Sequence, residues 1–292
     1  MTNMNGKVCL VTGATDGIGK VSARVLAELG AKVIIVGRNP EKSAIVLAEL
    51  RSISGNENID LLMADLAVMQ EVRDLAEQVI SRYDRLDVLL NNAGGYFTKH
   101  KITSDGLEMT FALNHMSYFL LTNKLMELLK YSAPARIVNV SSDAHYGVDI
   151  EFENLNGEQE YKAWKAYQKS KLANVLFTYE LLKKVPGNIT VNCLHPGFVA
   201  TNFGHNNGGF FGPALKIAQR ISAIDPEEGA KTSIFLCSAP EVKGFSGKYF
   251  YKCQLKTSSR ESRNMDTGKR LWQISSDIAS VSYTHLTLPT KA

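Results

Sequence analysis

The chain has 292 residues, of which 45% are hydrophobic and 21% charged, and its formal net charge is +4. This balance is typical of a globular protein and excludes a largely disordered chain. The excess of positive charge is small, so we expect no nucleic-acid partner. The four cysteines are scattered without the spacing of metal ligands, which favours free thiols in a cytoplasmic protein that holds no metal. Neither a signal peptide nor an apolar run long enough to span a membrane is predicted.

Short segments rich in β-branched residues alternate along the chain with longer amphipathic segments. Strands are predicted at 8–12, 32–36, 58–63, 86–90, 136–140, 189–193 and 248–251. Helices are predicted at 17–29, from Pro40 onward, and at 68–83, 105–130, 158–184 and 226–238. This alternation predicts one doubly wound α/β domain over residues 1–280, in which a parallel sheet of about seven strands carries helices on both faces.

Residues 281–292 do not continue this alternation. The segment resembles translated sequencing-adapter read-through, so we expect a non-native tail and leave it out of the fold. An ordinary frayed C-terminus is the alternative.

A glycine-rich turn follows the first predicted strand and opens the first predicted helix. Its glycines are Gly13, Gly17 and Gly19, and they permit a tight turn and a close approach of the backbone to a phosphate. The helix N-terminus adds unpaired N–H groups that bind a pyrophosphate. We expect the remaining contacts of this turn to come from Thr15, Asp16 and Ile18. A plain tight turn is the alternative.

The spacing T-G-x-x-x-G-x-G resembles that of the short-chain dehydrogenase/reductase family, whose members have a Rossmann fold. After the fourth strand, Asn91-Asn92-Ala93-Gly94 matches the family's NNAG motif, which implies cofactor contacts from Asn92, Ala93 and Gly94. The resemblance also places Asp65 and Leu66 beside the adenine. It places a segment after the sixth strand along the nicotinamide carboxamide, with contacts from Pro196, Gly197, Val199 and Thr201.

The end of the second strand indicates which dinucleotide is bound. NAD-dependent enzymes of this fold place an acidic residue there to bind the ribose 2′-hydroxyl. Here the segment contains Arg38 and Asn39 instead. A guanidinium matches a phosphate in charge and in hydrogen-bond geometry, so we predict NADP(H) in preference to NAD(H). A solvated loop cation is the alternative for Arg38.

The pattern Tyr-x-x-x-Lys occurs three times, beginning at Tyr161, Tyr167 and Tyr179. Spacing i, i+4 on a helix places both side chains on one face. Only the segment from Tyr167 through Lys171 to Asn174 resembles the family's Y-x-x-S-K segment. We therefore expect Tyr167 and Lys171 to belong to the active site and to contact the cofactor.

The family resemblance implies two further catalytic residues, Ser142 after the fifth strand and Asn114 on the fourth helix. Ser141 is the alternative serine. With Tyr167 and Lys171 they match the family's Asn-Ser-Tyr-Lys tetrad in chain order. By this resemblance Ser142 orients the substrate oxygen, and Lys171 forms a hydrogen bond with the nicotinamide ribose. By the same resemblance Asn114 holds a water in the proton path to Lys171. We expect the Lys171 cation to lower the pKa of Tyr167 towards neutrality, so that Tyr167 acts as general acid and base.

The C-terminal third adds a resemblance to the retinol dehydrogenase-like branch of the family, through the segments 225–230, 246–250 and 271–272. It implies a small, lipophilic alcohol or carbonyl substrate. Glycines and phenylalanines at about 202–222 predict a substrate lid over an apolar pocket, with a buried packing helix as the alternative.

Three other interpretations are open from the sequence. A non-enzymatic NADP(H) sensor on the same fold is the main rival, since fold alone does not determine function. An epimerase or dehydratase of a related extended family is less favoured, because those proteins have an altered glycine turn. A homodimer through the long helices at 105–130 and 158–184 is open as well.

Overall fold

The computed structural model describes residues 2–197 and 225–280. In this part of the chain, eight strands form one sheet in the order β3-β2-β1-β4-β5-β6-β7-β8. The strands are β1 Val8–Val11, β2 Lys32–Gly37, β3 Ile59–Met63, β4 Val88–Asn91, β5 Ala135–Val140, β6 Ile189–Leu194, β7 Lys248–Tyr251 and β8 Gln254–Leu255. Neighbours from β3 to β7 pair in parallel, and β8 pairs antiparallel with β7.

The helices described by the structure cover both faces of the sheet. They are α1 Gly17–Glu28, α2 Pro40–Ser54, α3 Met69–Arg82, α4 Met109–Phe111, α5 Ser117–Lys124, α6 Met126–Tyr131, α7 Ala163–Leu182, α8 Pro226–Ser238 and α9 Met265–Ser280. One apolar cluster lies under α3, α5 and α7, and another lies under α1, α2 and α8. The doubly wound α/β fold predicted from the alternation is confirmed.

Local sequence signals explain where several helices begin and end. The Asn39 side chain accepts a hydrogen bond from the backbone N–H of Lys42 at 2.8 Å, and Pro40 occupies the first turn of α2. Gly55 ends the same helix in the left-handed conformation, with φ at +64°. Strands β1 and β2 in the middle of the sheet are buried on both faces, which is why their apolar runs are nearly continuous.

The structure differs from the sequence prediction in four of its elements. The helix expected at 158–184 begins only at Ala163, and the helix expected at 105–130 is divided by a π-helical turn, Ala112–Met116, and by a break at Leu125. Helix α9 and strand β8 were not predicted. The predicted lid at 202–222 and tail at 281–292 lie outside the described residues.

Helix α9 packs against α7 through an aromatic contact. Trp272 lies with its ring centroid 4.9 Å from that of Phe119 on α5 and 5.9 Å from that of Phe177 on α7. Leu271 beside it is buried. This contact covers apolar surface on α5 and α7. These helices belong to the two long segments that the sequence offered as a possible dimer interface. Among residues 2–197 and 225–280, no helix combines the length and apolar character needed to cross a bilayer.

Candidate active site

The strand order changes direction between β1 and β4, whose following connections lead to opposite sides of the sheet. In open α/β sheets this switch point creates a crevice at the carboxyl ends of the strands, and ligands bind there. The predicted glycine turn follows β1, and Asn92 follows β4. The fold therefore brings two of the predicted cofactor motifs to the same edge.

The glycine turn is packed so closely that larger residues do not fit. A Cβ atom on Gly19 would lie 2.2 Å from the carbonyl oxygen of Gly13, and one on Gly13 would lie 2.8 Å from the Cα atom of Ala93. Gly13 and Gly17 also have positive φ, at +64° and +49°. The turn thus has its shape because these positions lack side chains, and the backbone at the start of α1 is open to a close ligand.

Thr12 joins the glycine turn to the NNAG segment. Its hydroxyl accepts hydrogen bonds from the backbone N–H groups of Asn92 at 2.9 Å and Ala93 at 3.0 Å. In return, the Asn92 amide donates to the Thr12 carbonyl at 2.9 Å. Asn91 points to the other side and donates to Thr122 and Asn139. In this structure the two asparagines therefore hold the loop together, with Ala93 buried and Gly94 exposed.

Two predicted cofactor residues also have local structural roles. Asp16 accepts a hydrogen bond from the backbone N–H of Gly17 at 2.8 Å and pairs with Lys42 Nζ at 2.5 Å. Asn39 caps α2 as described above. Lys42 is therefore a second cation beside the turn that the sequence analysis missed, although its place four residues after Arg38 was a usable signal.

Arg38 is exposed and lies at the end of β2, as predicted. Its Nη1 atom is 3.4 Å from the Asp65 carboxylate, which follows β3. Leu66 has its side chain in the apolar core, so that only its backbone is available to a ligand. Thr15 and Ile18 are half-buried in the glycine turn. This corner of the crevice thus carries two exposed cations, Arg38 and Lys42.

Asn114 lies within the π-helical turn, where one extra residue per turn changes the direction of the side chains. Its Oδ1 atom accepts a hydrogen bond from the backbone N–H of Gly95 at 2.8 Å. Its Nδ2 atom donates to the carbonyl of Gly95 at 3.0 Å and to the hydroxyl of Ser170 at 2.9 Å. Asn114 therefore ties the loop after β4 to helix α7.

The two serines after β5 have different surroundings. The hydroxyl of Ser141 is buried and donates to the carbonyl of Lys171 at 2.7 Å. Ser142 is half-buried, accepts from the backbone N–H of Ala144 at 3.1 Å, and forms a side-chain hydrogen bond with Tyr167. This pairing favours Ser142 over Ser141 as the serine of the site.

Tyr167 and Lys171 lie on one face of α7, and both are buried. The Lys171 Nζ atom is 5.7 Å from the centroid of the Tyr167 ring and donates to the carbonyl of Val140 at 3.3 Å. Burial raises the pKa of Tyr167 to about 12, and its hydrogen bond with Ser142 lowers that pKa by less. Burial lowers the pKa of Lys171 to about 8. The expectation that Lys171 brings the pKa of Tyr167 towards neutrality is therefore wrong for this structure, because desolvation is the larger effect.

Pro196 and Gly197 follow β6 at the same edge of the sheet and are half-buried. The backbone N–H of Gly197 donates to Nδ1 of His195 at 3.3 Å, and the His195 ring stacks on Tyr251 at a centroid distance of 4.0 Å. This histidine therefore fixes the start of the segment. Val199 and Thr201 lie outside the described residues.

The four residues expected to be catalytic converge from three parts of the fold: the π-helical turn, the loop after β5 and helix α7. Gly94 marks the point of convergence, because a Cβ atom placed on it would be 3.2 Å from Asn114 Oδ1 and 3.3 Å from Lys171 Nζ. Ser142 joins this group through Tyr167. A hydroxyl pair, an ammonium group and a buried amide thus meet beside the glycine turn, an arrangement suited to proton transfer at a small polar group.

Comparison with known proteins assigns this arrangement to a family. The family model described as short chain dehydrogenase matches residues 7–208. The chain belongs to the short-chain dehydrogenase family. Within this family it falls in the retinol dehydrogenase-like branch: it is 40% identical to retinol dehydrogenase 14 from Homo sapiens over 288 residues, covering 93% of this chain and 86% of that protein.

Two crystal structures of similar proteins support the assignment to the short-chain dehydrogenases. An uncharacterized protein from Mycobacterium Paratuberculosis superposes with a TM-score of 0.77 at 28% identity, covering 96% of this chain and 95% of that one. A short chain dehydrogenase from Escherichia coli CFT073, complexed with NADPH, has a TM-score of 0.65 at 26% identity, covering 86% and 98%. The chain is therefore an oxidoreductase of a family that binds a nicotinamide cofactor and acts on small molecules.

The residues of this short-chain dehydrogenase fit such a dinucleotide. The backbone at Gly13 and Gly19 forms a cradle with no room for side chains, at the N-terminus of α1. Arg38 and Lys42 lie beyond one end of the cradle, at the end of β2 and the start of α2. Gly94 and the polar group around Lys171 lie along the same edge of the sheet.

Proposed function

We propose that this protein is an NADP(H)-dependent oxidoreductase that interconverts the carbonyl and alcohol forms of a small, lipophilic substrate. The observation that carries the proposal is the convergence of Asn114, Ser142, Tyr167 and Lys171 beside the glycine cradle. Asn114, Ser142 and the pair on α7 come from three elements separated by long stretches of sequence. Their meeting at one edge of the sheet is suited to proton transfer to and from a substrate oxygen.

In the proposed reaction the bound nicotinamide supplies or accepts the hydride. Tyr167 supplies the proton. With a pKa raised to about 12, its phenol is protonated at neutral pH and can donate to the oxygen of a carbonyl that is being reduced. Ser142, hydrogen-bonded to Tyr167, orients the same oxygen. At neutral pH the phenol is thus in the protonated form that reduction of a carbonyl requires.

Lys171 and Asn114 support Tyr167 in different ways. At neutral pH the Lys171 ammonium group is charged and stabilises the phenolate that remains after Tyr167 has donated its proton. The side-chain amide of Asn114 is engaged at both ends by Gly95 and Ser170. We therefore assign Asn114 to positioning the loop after β4 and the helix that carries the tyrosine and lysine.

The preference for NADP(H) rests on charge at the end of β2. Arg38 and Lys42 are both exposed, and their cationic groups pair with the carboxylates of Asp65 and Asp16 at the rim of the crevice. A guanidinium and an ammonium group favour the additional 2′-phosphate of NADP(H), whereas NAD(H) carries a hydroxyl there. The lipophilic substrate class is proposed from the similarity to the retinol dehydrogenases.

Replacing the candidate acid tests the proposal. We expect Tyr167→Phe to bind NADPH with unchanged affinity, measured by nicotinamide fluorescence, and to lose roughly 10²- to 10⁴-fold in kcat on lipophilic aldehydes. Tyr179→Phe is the matched control, because Tyr179 also begins a Tyr-x-x-x-Lys pattern on α7 but hydrogen-bonds to Ser258. Near-normal turnover by Tyr167→Phe would contradict the assignment. NADPH binding without turnover of any carbonyl by the unsubstituted protein would favour a sensor.

A further inference from the structure

Three aromatic side chains form a cluster around the candidate acid. The ring centroid of Tyr167 lies 6.0 Å from that of Tyr96 and 5.7 Å from that of Trp164. Tyr96 and Trp164 are themselves 6.4 Å apart, with their ring planes at 70°. These separations are those of favourable edge-to-face and tilted ring pairs. Each ring therefore contacts the other two.

The two outer rings differ sharply from Tyr167 in exposure. Tyr167 is 8% exposed, whereas Trp164 is 55% exposed although it lies one turn earlier on the same face of α7. Tyr96 is half-buried. A tryptophan that leaves more than half of its surface in water, beside a buried polar site, offers apolar area that a ligand can cover.

The position of Tyr96 is fixed by its neighbours on both sides. The preceding Gly95 exchanges backbone hydrogen bonds with the Asn114 amide. The carbonyl of the following Phe97 accepts a hydrogen bond from the Tyr161 hydroxyl at 2.7 Å. Trp164 is held by α7. Both outer rings therefore belong to a preformed surface, which lowers the entropic cost of binding against it.

We propose that Tyr96 and Trp164 form an aromatic wall that binds a planar aromatic ring attached to the reacting carbonyl or alcohol carbon of the substrate. The inference deepens the proposed function and rests on it. A substrate oxygen within reach of the Tyr167 hydroxyl places the group on its carbon beside the two rings that flank Tyr167. A flat ring can pack edge-to-face or offset against both, whereas a puckered saturated ring of the same size cannot match these geometries.

A pair of aldehydes with the same number of carbon atoms separates aromaticity from size. We expect Trp164→Leu and Tyr96→Leu to lower kcat/KM for benzaldehyde, relative to cyclohexanecarboxaldehyde, by about two- to tenfold each. The change is expected in KM rather than in kcat. Comparing this ratio between each variant and the unsubstituted protein cancels the difference in intrinsic reactivity of the two aldehydes. Tyr131→Leu, which removes an 82% exposed aromatic ring on α6, is the control and should leave the ratio unchanged.

A second readout does not depend on turnover. The chain has two tryptophans, so Trp272→Phe leaves Trp164 as the single tryptophan emitter. In this variant without cofactor, we expect saturable quenching or shifting of the emission by benzyl alcohol and a weaker response to cyclohexylmethanol.

The outcomes separate this inference from the proposed function. Turnover of both aldehydes with a ratio that neither leucine variant changes overturns the aromatic wall and leaves the function standing. Equal fluorescence responses to the two alcohols overturn the aromatic wall as well. A selective response to benzyl alcohol without turnover of any aldehyde supports the aromatic wall and contradicts the function. Lower melting temperatures of the leucine variants with an unchanged ratio assign the two rings to packing alone.

Discussion

The lowered pKa of Lys171 predicts a loss of activity in mild alkali. If the proposed function is correct, the lysine must be charged to stabilise the Tyr167 phenolate, and burial lowers its pKa to about 8. The charged fraction is then about 90% at pH 7 and about 10% at pH 9. We therefore expect kcat/KM for NADPH to fall about tenfold between these pH values, and by nearly tenfold again up to pH 10.

The assay follows NADPH oxidation by absorbance at saturating aldehyde between pH 6 and pH 10. We choose kcat/KM for NADPH because it reports the ionisation of the free enzyme, the state to which the structure applies. Lys171→Arg is the control variant, since a guanidinium stays charged across this range. Its activity should be lower at neutral pH but independent of pH up to 10. A flat profile in the unsubstituted enzyme, or a decline near pH 8 that persists in Lys171→Arg, would refute the reasoning.

Three further predictions address the cofactor turn and stability. Arg38→Ala should raise the Kd for NADPH about tenfold or more and leave the Kd for NADH unchanged. An equal loss of affinity for both cofactors would show that Arg38 does not bind the 2′-phosphate. Gly19→Ala should lower stability by about 1–3 kcal/mol and weaken NADPH binding, because its Cβ atom would meet a carbonyl at 2.2 Å. Gly187→Ala, where a Cβ atom has open space, should be neutral in the same melting and binding measurements. Burial lowers the pKa of His115 to about 4, so stability should fall as pH falls from about 6.5 to 4, by at most about 3 kcal/mol from this group. Urea unfolding at both pH values should show a smaller loss for His115→Asn; an equal loss would contradict this origin.

The sequence predicts the central sheet well because parallel strands are buried on both faces. Such strands must be apolar and β-branched along their whole length, and the printed sequence shows this directly at Val8–Val11 and Lys32–Gly37. Helix ends were predictable where a local signal exists, as with Pro40 at the start of α2. Helix α9 was not predicted although it is amphipathic. Its apolar residues Leu271 and Trp272 stand among polar ones and acquire their partners only when α5 and α7 are in place.

The composition of the candidate site was also readable from the sequence. Each motif is a short segment whose residues are close together in the chain. Gly13 and Gly19 pack against each other in one turn, and Tyr167 and Lys171 lie on one face of a single helix. The relation between the motifs was predicted only through the family resemblance. The hydrogen bonds of Thr12 with Asn92 and Ala93 link residues 80 or more positions apart, and no spacing rule along the chain could have predicted them.

Ionisation and shape at the site were decided by the tertiary structure alone. The sequence suggested a tyrosine with a lowered pKa beside a lysine, but burial of the two side chains raises the pKa of Tyr167 and lowers that of Lys171. Helix propensities likewise do not indicate the π-helical turn that directs Asn114 towards Gly95 and Ser170. By itself the sequence determined which chemical groups are present and which elements carry them. Desolvation and side-chain direction depend on neighbours distant in the chain, so only the folded structure decided how those groups are charged and what they face.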